Sequence, residues 1–241
     1  MRIYLFVAAC ALLTVPSLEA QIRMLDPPTG RGSLDLKTLQ IGQELSERTW
    51  DEGKYQDAWC TSFLAAEGKA PTPQYPGSDD PVEQMEDNEG YLVWADMYCP
   101  LSLIDGKLST AWVAGGKGLG ETVLFPADAT KPMQIYNGFQ RSESLYKKNS
   151  RPQGIRVFAL SASKDVGQYG SRYGDIRVLA SRDSRLEDRM GPQPLTLPDF
   201  ALPAQGESDY PPIVTLLAIQ ILSVYPGTAY TDTCISEVSA R

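Results

Sequence analysis

The strongest constraint on the fold is punctuation. From Tyr91 to the C-terminus, apolar runs of strand length alternate with glycine- and proline-containing turns, and no long helical period intervenes. The runs predict strands over Tyr91–Tyr98, Thr110–Val113, Glu121–Phe125, Met133–Asn137, Gly154–Ser161, Asp175–Ala180, Gln193–Leu197, Ile213–Tyr225 and Asp232–Val238. Asp105-Gly106, Gly115 to Gly120, Gly167 to Gly174 and Pro226-Gly227 lie between them. Many short strands joined by such turns pack as a sandwich or jelly roll. Ile213 to Val224 is apolar on both faces, as a strand in the middle of a sandwich is.

The 241-residue chain divides into three parts. Residues 1–20 read as a secretory signal: Arg2 supplies the positive start, Ile3 to Val15 the apolar run, and Ala20 the small residue before a cut. The run is shorter than the ~20 residues of a membrane span. Val7-Ala8-Ala9-Cys10 has the form of a lipoprotein box, but the apolar run continues past Cys10, which reads as an ordinary member of it. The expected location is secreted or periplasmic. Residues 21–90 form an irregular extension. Ser33 to Arg48 carries five aliphatic residues in neither a helical nor a strand period, and Ala70 to Pro81 holds four prolines. Asp79, Asp80, Glu83, Glu86, Asp87 and Glu89 lack the alternation and glycine of a calcium loop and read as a solvated connector. Residues 91–241 form the sandwich.

Composition removes several functions. The net charge is −8, which disfavours binding to nucleic-acid backbones. The chain has no histidine, which excludes His-based triads, His metal ligands and the commonest neutral-pH acid–base group. Cys60, Cys99 and Cys234 would remain after export and permit one disulfide, for which Cys60–Cys99 is the expected pairing. Gly115 to Gly120, with Lys117 inside it, invites a phosphate-loop reading and fails it. Lys117 is followed by Gly118 rather than Ser or Thr, and Gly116, Gly118 and Gly120 are one residue short of a dinucleotide loop. The following Glu121-Thr122-Val123-Leu124-Phe125 favours a strand, so no helix N-terminus is available to hold an anion.

Several segments, taken in order, resemble one family. They are Ile104-Asp105-Gly106, Ser109 to Val113, Gly118 to Glu121, Ile135 to Phe139, Tyr146 to Pro152, Tyr225-Pro226-Gly227 and Asp232 to Val238. Together they look like the galactose-binding-like β-sandwiches. More closely, they resemble the discoidin-like, NADase-type glycan-binding domain found beside bacterial NAD glycohydrolase toxins. Phe139 stands where that family commonly has Tyr. The resemblance implies an all-β, galactose-binding-like jelly-roll sandwich and non-catalytic recognition of a carbohydrate or cell-envelope glycan. It does not imply NADase activity.

Asn137, Phe139, Tyr146, Asn149 and Arg151 supply the aromatic, amide and guanidinium groups such a site needs, and a shallow groove lined by Phe139, Tyr146 and Arg151 is the expectation. Structural roles compete for the same residues: Asn137-Gly138 is a favoured turn pair, Asn149 can cap its loop, and Arg151 can pair with a carboxylate such as Glu121. Trp112 reads as core. By the same resemblance Asp105, Thr110 and Glu237 would surround a structural Ca²⁺. A protein–protein module, such as an exported inhibitor or envelope assembly factor, is the alternative. Glycoside hydrolysis by Glu121 and Glu237 is a distant third.

Overall fold

The computed structural model describes residues 34–45, 58–73, 87–167, 170–206 and 210–241. The signal segment, Cys10 and the carboxylates Asp79, Asp80, Glu83 and Glu86 lie outside them. Among the described residues, ten strands form two antiparallel sheets. They are β1 (Glu44–Leu45), β2 (Trp59–Cys60), β3 (Trp112–Ala114), β4 (Thr122–Pro126), β5 (Met133–Asn137), β6 (Arg151–Gly167), β7 (Gly170–Arg185), β8 (Pro192–Leu195), β9 (Ile213–Tyr225) and β10 (Thr233–Ala240). The larger sheet runs β1-β7-β6-β9-β4-β2 and the smaller β3-β10-β5-β8. This is the expected jelly-roll sandwich.

The alternation of side chains decides what each face buries. Val123 and Phe125 of β4, Ile155, Val157 and Ala159 of β6, and Leu217, Ile219 and Ile221 of β9 face the smaller sheet, where Trp112, Ile135 and Ile235 meet them. The opposite face of the larger sheet carries Leu124, Phe158, Leu160, Leu216 and Ala218, and Leu34, Leu36, Leu39, Leu45 and Trp59 cover it. Both faces of β9 are therefore covered, which explains why its sequence shows no polar alternation. Four of the five aliphatic residues of Ser33 to Arg48 that fit no period, Leu34, Leu36, Leu39 and Leu45, belong to this cover, while Ile41 is exposed. Beyond it, β1 and β2 close the two edges of the larger sheet.

Three sequence expectations are corrected. Tyr91–Tyr98 does not form a strand: Glu89–Ala95 is a helix, α1, with an acidic first turn, and its Asp96 cap N–H bonds the Leu92 carbonyl. The run's aromatic and β-branched content suits a strand, but no sheet edge takes it, and local i→i+4 bonding satisfies its backbone instead. Gly167 to Gly174 is mostly strand, because β6 and β7 continue pairing out to Gly167↔Gly170. Cys60, Cys99 and Cys234 are buried as thiols, so the expected Cys60–Cys99 bridge does not form. Cys60 and Cys99 pack as small apolar groups in the core between the sheets, while Cys234 packs on the outer face of the smaller sheet.

Among the described residues, no helix is long and apolar enough to cross a membrane.

Candidate functional site

The five residues expected to bind ligand gather at one end of the sandwich. Asn137 closes β5. Gly138 follows it with φ +75°, and a Cβ there would lie 2.7 Å from the Tyr146 ring, so glycine is required. A short helix, α2 (Glu143–Lys148), carries Tyr146. Its N-cap Ser142 accepts the Leu145 N–H at 3.2 Å, Glu143 occupies the first turn, and Lys147 and Lys148 occupy the last. Asn149 ends the helix by donating its side-chain amide to the Leu145 carbonyl at 2.9 Å, the capping role that competed with ligand binding. Arg151 then opens β6.

Arg151, itself buried, is the centre of a partly buried network. Its Nε and one Nη each donate to a different oxygen of Asp188 at 2.6 Å, a two-pronged pair, and the other Nη reaches the Asn149 and Pro226 carbonyls at 3.3 and 3.4 Å. The guanidinium lies 4.8 Å from the Tyr146 ring centroid and 5.9 Å from that of Tyr225. The Tyr146 hydroxyl donates to Asp188 at 2.9 Å. The hydrogen bond from Arg151 holds the Asp188 carboxyl below the usual carboxylate range. Burial, and then the bond to Asp188, pushes the Tyr146 hydroxyl up to about 12. The partner of Arg151 is thus Asp188, not Glu121. Glu121 instead accepts the hydroxyls of Thr61 and Ser62, and so ties residues 61–62 to the glycine loop.

Asn137 (fully buried), Phe139, Tyr146, Asn149 and Arg151 are all below a tenth exposed. Asn137 donates to the Pro152 carbonyl at 2.8 Å, and Phe139 stands edge-on to Tyr98 at 6.3 Å. Phe139, Tyr146 and Arg151, expected to line a shallow groove, thus present little of their side chains at the surface. The polar groups of Tyr146, Asn149 and Arg151 bond inside, the Asn137 side-chain oxygen is buried without a partner among the described residues, and the network clamps α2, the start of β6, the loop after β7 and the turn after β9 to one another. Asp188 was invisible in the sequence, since a lone Asp in a charged loop carries no pairing signal. The helix α2 did leave one: a Ser N-cap, an acidic first turn and basic last-turn residues.

Asp105, Thr110 and Glu237 also come together. The Thr110 hydroxyl donates to the two Asp105 carboxylate oxygens at 2.8 and 3.0 Å, and Asp105 accepts the Lys107 N–H at 2.8 Å. Glu237, buried on β10, accepts the Gly106 N–H at 3.1 Å. Burial pushes its carboxyl up to about 7, against the Gly106 N–H bond and with the help of the neighbouring Asp105 charge. Two carboxylates and a hydroxyl at one turn form an oxygen-only donor set of the kind a hard cation takes. Among the described residues, no three His, Cys, Asp or Glu side chains converge as a metal cluster, so a cation here would also draw on backbone carbonyls.

The glycine loop between β3 and β4 is structural. Gly116, Gly118 and Gly120 all have positive φ, and a Cβ on Gly118 would fall 2.5 Å from Thr233 of β10. The loop is pinned there by the Thr233 hydroxyl, which donates to the Lys117 carbonyl at 3.0 Å.

The family model of the NAD glycohydrolase translocation F5/8 type C domain matches residues 82–241. This chain belongs to that family. The match begins just before α1 and takes in β3 to β10. Among solved structures the chain is similar to a truncated AlyQ with CBM32 and alginate lyase domains, at 15% identity and a TM-score of 0.28, covering 59% of this chain and 29% of that one. It is also similar to the CBM32 of AlyQ in complex with 4,5-unsaturated mannuronic acid, at 16% identity and a TM-score of 0.23, covering 59% of this chain and 84% of that one. Among curated proteins, none matches.

Proposed function

We propose that this chain is an exported, non-catalytic binding protein whose sandwich recognises a carbohydrate or cell-envelope glycan. The observation that carries the reading is membership of the F5/8 type C, discoidin-like family across residues 82–241. The physical state of the chain is compatible with it. The loops at one end of the sandwich are held by the Arg151–Asp188–Tyr146 network rather than left to reorganise, which gives the sandwich a fixed scaffold. The clamp residues act as the frame of that end of the sandwich, not as a sugar platform. Glu121 and Glu237 are engaged separately, one by Thr61 and Ser62 and the other by Gly106, which gives no support to a paired acid and nucleophile.

A structural Ca²⁺ belongs to the same reading. Asp105 and Glu237 would supply carboxylate oxygens and Thr110 its hydroxyl, and the ion would brace the turn at Gly106 against β10. One observation favours a protein partner as the second reading: among the described residues Val166 and Tyr210 are two-thirds or more exposed.

A glycan array probed with the secreted chain, with and without Ca²⁺, tests the proposal. Saturable binding to a glycan class supports it. No binding to any glycan, together with specific capture of a protein that Val166→Ser or Tyr210→Ser weakens, overturns it.

A further inference from the structure

Along β6, the face that buries Ile155, Val157 and Ala159 against the smaller sheet turns polar at its far end. Cross-strand partners share a face, and the register sets out the row: Glu44 pairs with Arg177, Arg177 with Ser161, and Ser161 with Thr215. Four strands of the larger sheet thus present a carboxylate, a guanidinium and two hydroxyls side by side. None of these residues belongs to the core between the sheets. One step further, the register shifts between Ser161 and Ser163, and the bulge falls on β7 at Asp175, which has φ +49°. Bulges re-aim side chains, and strained non-glycine residues gather at binding sites. Here the re-aimed Asp175 carboxylate accepts the Ser163 hydroxyl at 2.9 Å.

A cleft of about 940 Å³ lies over this surface, with Glu44, Ser163, Asp175 and Arg177 on the sheet and Pro203 and Pro211 on the opposite wall. That volume is in the range of small-ligand sites, roughly 300–1,000 Å³. The wall is held from within: the Gln205 side chain donates to the Pro211 carbonyl at 2.9 Å and accepts the Ile213 N–H at 2.7 Å. Arg177 and Glu44 are exposed, and neither enters an ion pair among the described residues.

We infer that this cleft binds a neutral oligosaccharide laid across the strands. The inference rests on the carbohydrate-binding reading and gives it a location away from the clamped end. Carboxylate and guanidinium groups side by side hydrogen-bond adjacent sugar hydroxyls, while the prolines and Ile213 offer apolar contact to C–H faces. Two carboxylates against one guanidinium, in a chain of net charge −8, repel a polyanionic glycan.

The test is calorimetric titration of the full secreted chain with chitohexaose, cellohexaose, mannohexaose and, as the anionic probe, a heparin hexasaccharide. Wild type is compared with Arg177→Ala, Asp175→Asn and Ser163→Trp, and with Arg156→Ala, whose side chain sits on the opposite face of β6 paired with Asp183. Circular dichroism melts confirm that each variant folds. The expected result is binding of a neutral hexasaccharide, weakened about tenfold or more (about 1.4 kcal/mol) in each cleft variant and unchanged in Arg156→Ala. Binding equal in wild type and the cleft variants, or preference for the heparin hexasaccharide, overturns the cleft assignment and leaves the carbohydrate reading standing. A wild type that binds no saccharide overturns both.

Discussion

Removing Asp188 should cost far more than removing a surface carboxylate. In Asp188→Ala, the Arg151 guanidinium, whose side chain is only 10% exposed, keeps just the 3.3 and 3.4 Å contacts to the Asn149 and Pro226 carbonyls. The Tyr146 hydroxyl also loses its acceptor. A charged hydrogen bond contributes about 1.5–3 kcal/mol and an unsatisfied buried donor costs about 1–3 kcal/mol. Two of the former and one of the latter come to about 4 kcal/mol at their low ends, and because the Asp188 side chain is 39% exposed, screening brings the total below that. The expected loss is about 3 kcal/mol, between that of a surface pair and that of a fully buried one broken from one side. For a chain of this size that corresponds to roughly 6–12 °C in Tm. The internal control is Asp183→Ala, which breaks the more exposed Arg156–Asp183 pair and should cost about 0.2–1 kcal/mol. Urea unfolding followed by tryptophan fluorescence measures both. The double variant Arg151→Met/Asp188→Leu should recover part of the loss, because no buried charge is left unpaired. Equal midpoints for Asp188→Ala and Asp183→Ala would refute the reasoning, since the clamp would then contribute no more than a surface pair.

Two further outcomes follow from geometry and charge. Gly118→Ala and Gly138→Ala each place a Cβ within 3 Å of a neighbour at a positive φ, against Thr233 and Tyr146 respectively, and should each lower stability by about 2 kcal/mol or more; Gly106→Ala, with positive φ but open space, should cost less in the same urea titration. Glu237, raised from its ordinary 4.5 to about 7 in the folded chain, contributes stability that is present below about pH 4.5 and lost as pH rises through about 7. In EDTA-treated protein, Glu237→Gln should remove that part of the pH dependence of Tm, while added Ca²⁺ should raise the Tm of wild type and not of the variant; a wild-type Tm indifferent to Ca²⁺ would remove the cation from the proposal.

The sequence by itself determined the class of fold. Apolar runs and glycine turns are local signals, and they located β5 and β9 residue for residue and β3, β4, β8 and β10 to within two residues of their ends. It also excluded the phosphate loop, because residue order around Lys117 is a local property. The tertiary structure decided what the polar and aromatic residues do. Tyr146, Asn149 and Arg151 have side chains suited to a sugar, and nothing local says whether they face outward. Asp188, thirty-seven residues after Arg151 in the chain, turned them inward by meeting the guanidinium two-pronged. Leu34, Leu36, Leu39 and Leu45 showed no period because their placement is set by the outer face of β6, β7 and β9, against which they pack, while Ile41 between them is exposed. The polar row Glu44–Arg177–Ser161–Thr215 exists only through register, which joins four distant segments across one face of a sheet. Burial and cross-strand pairing are properties of the assembled sandwich, and they assigned the candidate binding residues to its frame and a row of unremarked polar residues to its open face.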